Sequence, residues 1–279
     1  MTVHIVTDST CDLPNEILEE LNIHYVPLNV HFGEEGYKDK LELEANDFYK
    51  KLIENKESIH PSTSQPSPGD FVSKYQEIAN EEDVIISIHL SSKLSGTYQS
   101  ANLAKDMLPN YDIRVVDSET ASIAMGLLVI KAALEKDKGA SSSEILEKIE
   151  KSKNEITLNF LVDTLEYLQK GGRIGKAQAL VGTLLDIKPI LTLTDGQITP
   201  LEKVRNKKKA IRKMLDFLYE EKGDQPVTVG VLYSGSKEER NFLIDQIKQK
   251  FNCKKIIDHP FGSVIGVHVG PDALGVCLL

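Results

Sequence analysis

Residues 84–101 read VIISIHLSSKLSGTYQSA, and the fold turns on how the two halves of this stretch join. Val84 to Leu90 is apolar and rich in β-branched residues, the composition of a strand buried on both faces. From Thr97 onward, TYQSANLAKDM carries helical periodicity. A buried strand that hands over directly to a helix is the repeating unit of an α/β protein.

Outward from this unit the alternation continues. Strand-like runs occur at HIVTD, YVPLNV, IRVVD, NFLV, PILTL, VTVGVLY, KIIDH, VIGVHVG and GVCLL, the last five of these after position 188. Helical patterns lie between most of them, at Pro14–Leu21, Asp47–Glu54, Gly69–Ala79, Ala121–Glu135, Ser143–Lys151, Lys207–Tyr219 and Lys237–Phe251. The expected class is α/β. A chain of 279 residues sits where single cores usually stop growing, so two lobes are expected. The polar run LEKDKGASSSEILEKIEKSKNE separates the earlier strands from the later ones, which puts the lobes at 1–155 and 156–279.

The totals exclude several classes. With 33 Lys and Arg against 42 Asp and Glu, the net charge of −9 argues against nucleic acid or an anionic membrane as a whole-surface partner. The most apolar window, MGLLVIKAALE, is broken by Lys131 and falls short of the roughly 18 residues a bilayer needs, so no integral membrane segment is expected. Cys11, Cys253 and Cys277 are odd in number and lack metal-ligand spacing, and MTVHIVTDST enters a strand without a leader pattern. A reducing cytoplasm is the expected location. The seven His and three Cys form no metal motif, so neither metal nor cofactor is expected. No dinucleotide fingerprint, Walker A loop or G-x-S-x-G nucleophile elbow occurs.

What remains is a set of polar loops at strand-to-helix junctions, where unpaired helix amides collect ligands. Ser95, Gly96 and Thr97 form the first. One hydroxyl would cap a helix, and SSKLSGTYQS holds more than that need. HPSTSQPSPGDF is the second, a proline-fixed loop that lines Thr63, Ser64 and Gln65 as neutral donors before a helix starting near Pro68. DSETASIAMG is the third, with Asp117 and Ser118 read as caps, and TDST after the first strand is read as a cap at Asp8. Near the end, VIGVHVG reads as a strand carrying His268 into a Gly-Pro turn beside a short helix start. Two basic loops stand out in an acidic chain, QKGGRIGKAQA with Arg173 and LEKVRNKKKAIRK with Arg205, and the guanidinium fork suits phosphate or carboxylate.

Together TDST, STSQPSPGDF, LSGTYQSA, DSETASIAMG, LEYLQKGGRIG and HVGPDALG resemble the DegV family, bacterial fatty-acid-binding proteins that serve as the lipid-carrying subunit of fatty acid kinase. The resemblance covers essentially the whole chain. It implies two α/β lobes with one long-chain fatty acid buried between them, and no catalytic nucleophile. By the same resemblance the carboxylate contacts fall on Ser95 and Thr63, with Ser64, Gly96 and Thr97 beside them and His268 in support. Arg173 and Arg205 match the arginines turned toward a separate fatty acid kinase subunit and its phosphoryl group, on the way to an acyl phosphate for phospholipid synthesis. One departure is Asp272, where many relatives have Gly; an inward acid there would repel an anion. The residues alone also leave open an acyl hydrolase using Ser95 with His268 as base, and a sensor for a small polar ligand.

Overall fold

The Val- and Ile-rich runs form strands because β-branched side chains pack well on a pleated surface buried on both sides. The computed structural model describes residues 2–55, 59–182 and 187–279. In the first half, β1 (Val3–Asp8), β2 (Ile23–Val26), β6 (Val84–His89) and β7 (Asp112–Asp117) make a parallel sheet in the order β2-β1-β6-β7. Every residue of β6 is buried, as a central parallel strand requires. A small antiparallel sheet, β4-β3-β5, joins β3 (Asn29–Phe32), β4 (Glu35–Lys38) and β5 (Ser62–Ser64). The second half builds a six-stranded mixed sheet, β10-β9-β8-β13-β11-β12. Its strands are β8 (Thr157–Leu161), β9 (Lys188–Thr194), β10 (Gln197–Val204), β11 (Val227–Tyr233), β12 (Cys253–Pro260) and β13 (Leu274–Leu278). The architecture is α/β.

One helix serves both sheets. Helix α5 (Ser122–Asp137) contains the apolar window MGLLVIKAALE, and it contacts β1 and β6 of the first sheet and β11 and β13 of the second. That placement explains why the window lacks a polar face: no side of it meets much water. One continuous core runs from Ile5 and Ile86 through Ile123 and Leu127 to Phe160, Leu191 and Leu232.

Four local readings are corrected. YVPLNV is not one strand: Pro27, with no amide to donate, ends β2, and the chain re-enters a different sheet as β3. Thr63 and Ser64 lie in the short strand β5, where Thr63 pairs with Val30, so sheet pairing as well as proline fixes them. VIGVHVG is helical, as α10 (Ser263–Val269). Its β-branched residues suggest a strand, yet Val264, Val267 and Val269 are all buried, and burial around the helix hides the amphipathic period. Gly270, with φ of 73°, supplies the left-handed turn that stops it. Asp117 and Ser118 do not cap α5, which starts at Ser122 after Ala121. Instead Asp117 accepts the amides of Ser92 and Glu119, tying two loops together. The Asp8 cap is present, its carboxylate accepting from the Thr10 amide at 3.1 Å.

Candidate functional site: an apolar cavity with a hydroxyl-lined end

The carboxyl ends of β6 and β7 face the second sheet across a cavity that holds about 790 Å³ of empty space, its mouth included. Its walls follow from strand alternation: Leu158 and Phe160, two apart on β8, present the same face, joined by Leu193, Ile198 and Leu232 from neighbouring strands. Leu90 and Leu94 close it from the first half, and Val264, Ile265 and Val269 from α10.

The polar groups gather at one end. Helix α4 (Thr97–Met107) follows the Ser91–Gly96 turn, and the Thr97 amide donates to Ser95 Oγ at 3.3 Å while the two hydroxyls lie 2.9 Å apart. Gly96 occupies a spot where a Cβ would come within 3.0 Å of the Gln65 amide nitrogen, so this turn closes on the β5 loop. Across the cavity, Thr63 Oγ1 and His268 Nε2 are 3.0 Å apart, joining residues 205 positions distant in sequence. Burial, with Arg173 and His60 nearby, pushes His268 down to about 3, so the ring is neutral. Its Nδ1 is buried without a partner, facing Gly171, where any Cβ would fall 2.2 Å away. The tautomer that leaves no buried N–H unpaired is therefore the assigned one: Nε2 donates to Thr63, and the Thr63 proton is free for an acceptor in the cavity.

Arg173 follows helix α7 (Glu166–Lys170) and is no simple surface arginine. It lines the cavity, part-buried, with Nε donating to Leu94 O at 3.0 Å and Nη1 to Gly171 O at 2.7 Å, so it ties the turn before α4 to the turn after α7. Ser64 also lines the cavity, but its hydroxyl is engaged by His31 Nε2 at 3.1 Å and by the Asn29 amide at 3.3 Å. Arg205 lies apart, exposed on the turn between β10 and helix α8 (Lys207–Lys222). Asp272 is exposed and Lys207 holds its carbonyl at 2.9 Å, so the repulsion expected of an inward acid does not arise.

The arrangement can hold an anion but is poorly built to cleave an ester. Ser95 bonds Thr97 and His268 bonds Thr63, so no nucleophile–base pair exists between them, and so weakly basic an imidazole makes a poor general base. Among the described residues no group of three or more His, Cys, Asp or Glu side chains could hold a metal, and no helix is long and apolar enough to cross a membrane. Sequence reasoning misses Ser122, a cavity-lining hydroxyl inside DSETASIAMG, because helix capping alone accounts for that motif's polar residues.

Known proteins match this chain throughout. Protein DegV of Bacillus subtilis (strain 168) is 40% identical over 279 residues, covering 99% of each chain. Among solved structures, a DegV family protein of Thermus thermophilus, described for its fatty acid binding, is 36% identical with a TM-score of 0.93, covering 100% of this chain and 99% of its own. A stearic acid-binding protein from Eubacterium ventriosum superposes with a TM-score of 0.89 at 27% identity, covering 100% of this chain and 98% of its own. A family model described as an uncharacterised protein, DegV family, matches residues 2–279, and on these grounds the chain belongs to the DegV family.

Proposed function

We propose that this protein is a cytoplasmic carrier, not an enzyme, that binds one long-chain fatty acid between two lobes, residues 1–155 and 156–279, and presents its carboxylate to a separate fatty acid kinase. The acyl phosphate so formed would feed phospholipid synthesis. One observation carries the reading: a cavity walled by Leu, Ile, Val and Phe ends in two neutral hydroxyls, Thr63 and Ser95, with His268 behind Thr63 and Thr97 behind Ser95.

The physics of the ligand fits that division. Each buried methylene contributes about 0.8 kcal/mol, so a chain of roughly sixteen carbons gains on the order of 10 kcal/mol before ordering costs. An ionised carboxylate carried in with it would be very unfavourable without hydrogen bonds, and the hydroxyls replace its water. The head group also has a reason to lie at this end. The free Thr63 proton lies there, whereas on the Ser122 side Asp12 already takes the Ser122 hydroxyl.

Presentation to a kinase rests on two arginines. Arg173 lines the cavity and Arg205 is exposed, each able to hold a phosphoryl group bidentately. Solvent extraction of the purified protein followed by mass spectrometry tests the carrier reading. A long-chain acid in about equimolar amount is expected; recovery of no lipid, with no rise in melting temperature on adding oleate or palmitate, overturns it. Steady ester hydrolysis abolished by Ser95→Ala would replace it with an enzyme.

A further inference from the structure

Ser122 lines the cavity, yet its hydroxyl turns away from the head-group end and meets the carboxylate of Asp12. It is 4% exposed and holds φ of 57°, a left-handed conformation unusual for a residue with a Cβ. Asp12 is fully buried, and its Oδ1 also accepts the Gly262 amide at 3.1 Å. Gly262 is the residue before α10, the helix that brings Val264, Ile265, His268 and Val269 to the cavity. The fit is close: a Cβ on Gly262 would fall 2.4 Å from Asp12 Oδ1.

A second acid stands beside this corner. Asp39 is 1% exposed, with Ser9, Lys40 and Ser263 beside its carboxylate. Burial pushes Asp12 up to about 8, with Asp39 adding to the rise, and burial pushes Asp39 up to about 6 although Ser9, Lys40 and Ser263 draw it back. The other titratable groups around them are Asp8 and Cys11 on the β1 side, Tyr25 of β2, Lys40, whose Nζ donates to Leu13 O at 2.7 Å, and the buried Tyr49 of helix α2 (Ala45–Glu54). From α5 and α10 the corner receives only the neutral Ser122, Gly262 and Ser263.

The hydrogen-bond bookkeeping then has two solutions. An ionised Asp12 only accepts, so Ser122 must donate to it and shows the cavity nothing but lone pairs. A protonated Asp12 can donate to Ser122, whose own proton is then free to point into the cavity. We propose that Asp12 is a positioning residue of the cavity: tied at once to the Gly262 amide and the Ser122 hydroxyl, it holds the start of α10 against α5 and selects whether Ser122 turns a proton or lone pairs toward the cavity. This rests on the fatty-acid reading above. An acyl chain against Ser122 lowers the dielectric beside the Asp12–Ser122 pair and so disfavours the ionised form. Binding therefore takes up a proton, and affinity falls as pH rises.

The test is binding of cis-parinaric acid, read by its fluorescence, from about pH 6 to about pH 9, in wild type, Asp12→Asn, Asp12→Ala and Gly262→Ala. The ligand's own titration is common to all four proteins and cancels in the comparison. Wild-type affinity is expected to fall about threefold to tenfold more than that of Asp12→Asn, which keeps both bonds through its amide but cannot ionise. Asp12→Ala is expected to bind about tenfold more weakly at every pH, and Gly262→Ala, which displaces the carboxylate without removing it, should follow it. Parallel pH profiles in wild type and Asp12→Asn, or wild-type affinity in Gly262→Ala, overturn the proposal. An infrared readout without ligand separates it from the carrier reading. The carbonyl band of a protonated carboxylic acid at about pH 7 should vanish in Asp12→Asn, and a wild-type protein lacking that band sinks the proposal even if it binds lipid. A wild type that shows the band and binds no fatty acid sinks the carrier reading instead.

Discussion

Two polar corners border the same apolar cavity, and they solve the cost of burial in opposite ways. At one end Thr63 and Ser95, backed by a neutral His268 and by Thr97, offer hydroxyls with no charge of their own. Behind the cavity-lining Ser122, Asp12 and Asp39 are two buried acids that burial drives toward their protonated forms. The difference gives the cavity a direction. A negative charge brought in by a ligand finds a free donor at the hydroxyl end, whereas at the acid corner Asp12 already takes the Ser122 hydroxyl and the Gly262 amide, so the supply of donors orients the molecule while the walls merely hold it.

The sharpest way to break this comparison is to remove the donors. In the double variant Ser95→Ala/Thr63→Ala, two hydrogen bonds to a charged group are lost, at about 1.5–3 kcal/mol each. Affinity for oleate by calorimetry should drop by a factor on the order of 10² or more. Retention of affinity within about threefold would mean that the carboxylate is held elsewhere.

The acid corner predicts a pH dependence of the opposite kind, one of stability. For both acids the folded pKa lies above the unfolded value of about 3.9. Between that value and about 8 the folded protein therefore binds more protons than the unfolded chain, and stability falls as pH rises through this window. The contribution is fully present only below the unfolded value. Since a tenfold difference in proton affinity between the folded and unfolded chain is worth about 1.4 kcal/mol, the two coupled groups together should cost a few kcal/mol by about pH 9. Urea midpoints at about pH 5 and about pH 9 should differ in wild type and converge in Asp12→Asn/Asp39→Asn. A wild-type midpoint that rises over the same range contradicts the assignment.

How much of this the chain announces depends on how far apart the partners stand in sequence. The strand at Val84–His89 and helix α4 declare themselves through local composition, and with them the α/β class. His268 reads as a strand residue because VIGVHVG is β-branched and buried around its whole circumference, which erases the helical period. The pairing of Thr63 with His268 could be expected only from family likeness, since no local pattern links residues so distant. Asp12 stays hidden for the same reason. Its partners lie 110 and 250 positions away, so TDSTCD looks like an ordinary capped turn.

A smaller effect separates the donors from the residue behind them. His268→Gln can still present an N–H toward Thr63, whereas His268→Phe cannot. Because the ring acts on the ligand through one neutral hydrogen bond, worth about 0.5–1.5 kcal/mol, the Phe variant should bind oleate about threefold to tenfold more weakly and the Gln variant less so. The wild-type contribution should be flat above about pH 5, since the imidazole is already neutral there. A titration of affinity near the usual histidine pKa that disappears in His268→Gln would show a charged ring and blur the contrast between the two corners.

The smallest effect on binding, none, is expected at the exposed basic stretch after β10, and that is its use. Arg205, Lys208 and Lys209 are exposed, while Lys207 is occupied by Glu239 at 2.6 Å and by the Asp272 carbonyl. Lys208 and Arg212 also lie over the face of Phe242, at 5.6 and 5.9 Å from the ring centre, which holds these side chains near the surface. Substituting Arg205, Lys208 and Lys209 by Ala should leave oleate affinity unchanged and slow phosphorylation in the presence of a fatty acid kinase. The loss should shrink as salt is raised, because exposed charges act over a Debye length of only about 8 Å at physiological ionic strength. Equal loss of lipid binding in these variants would place this stretch inside the site and remove the distinction between holding the acid and handing it on.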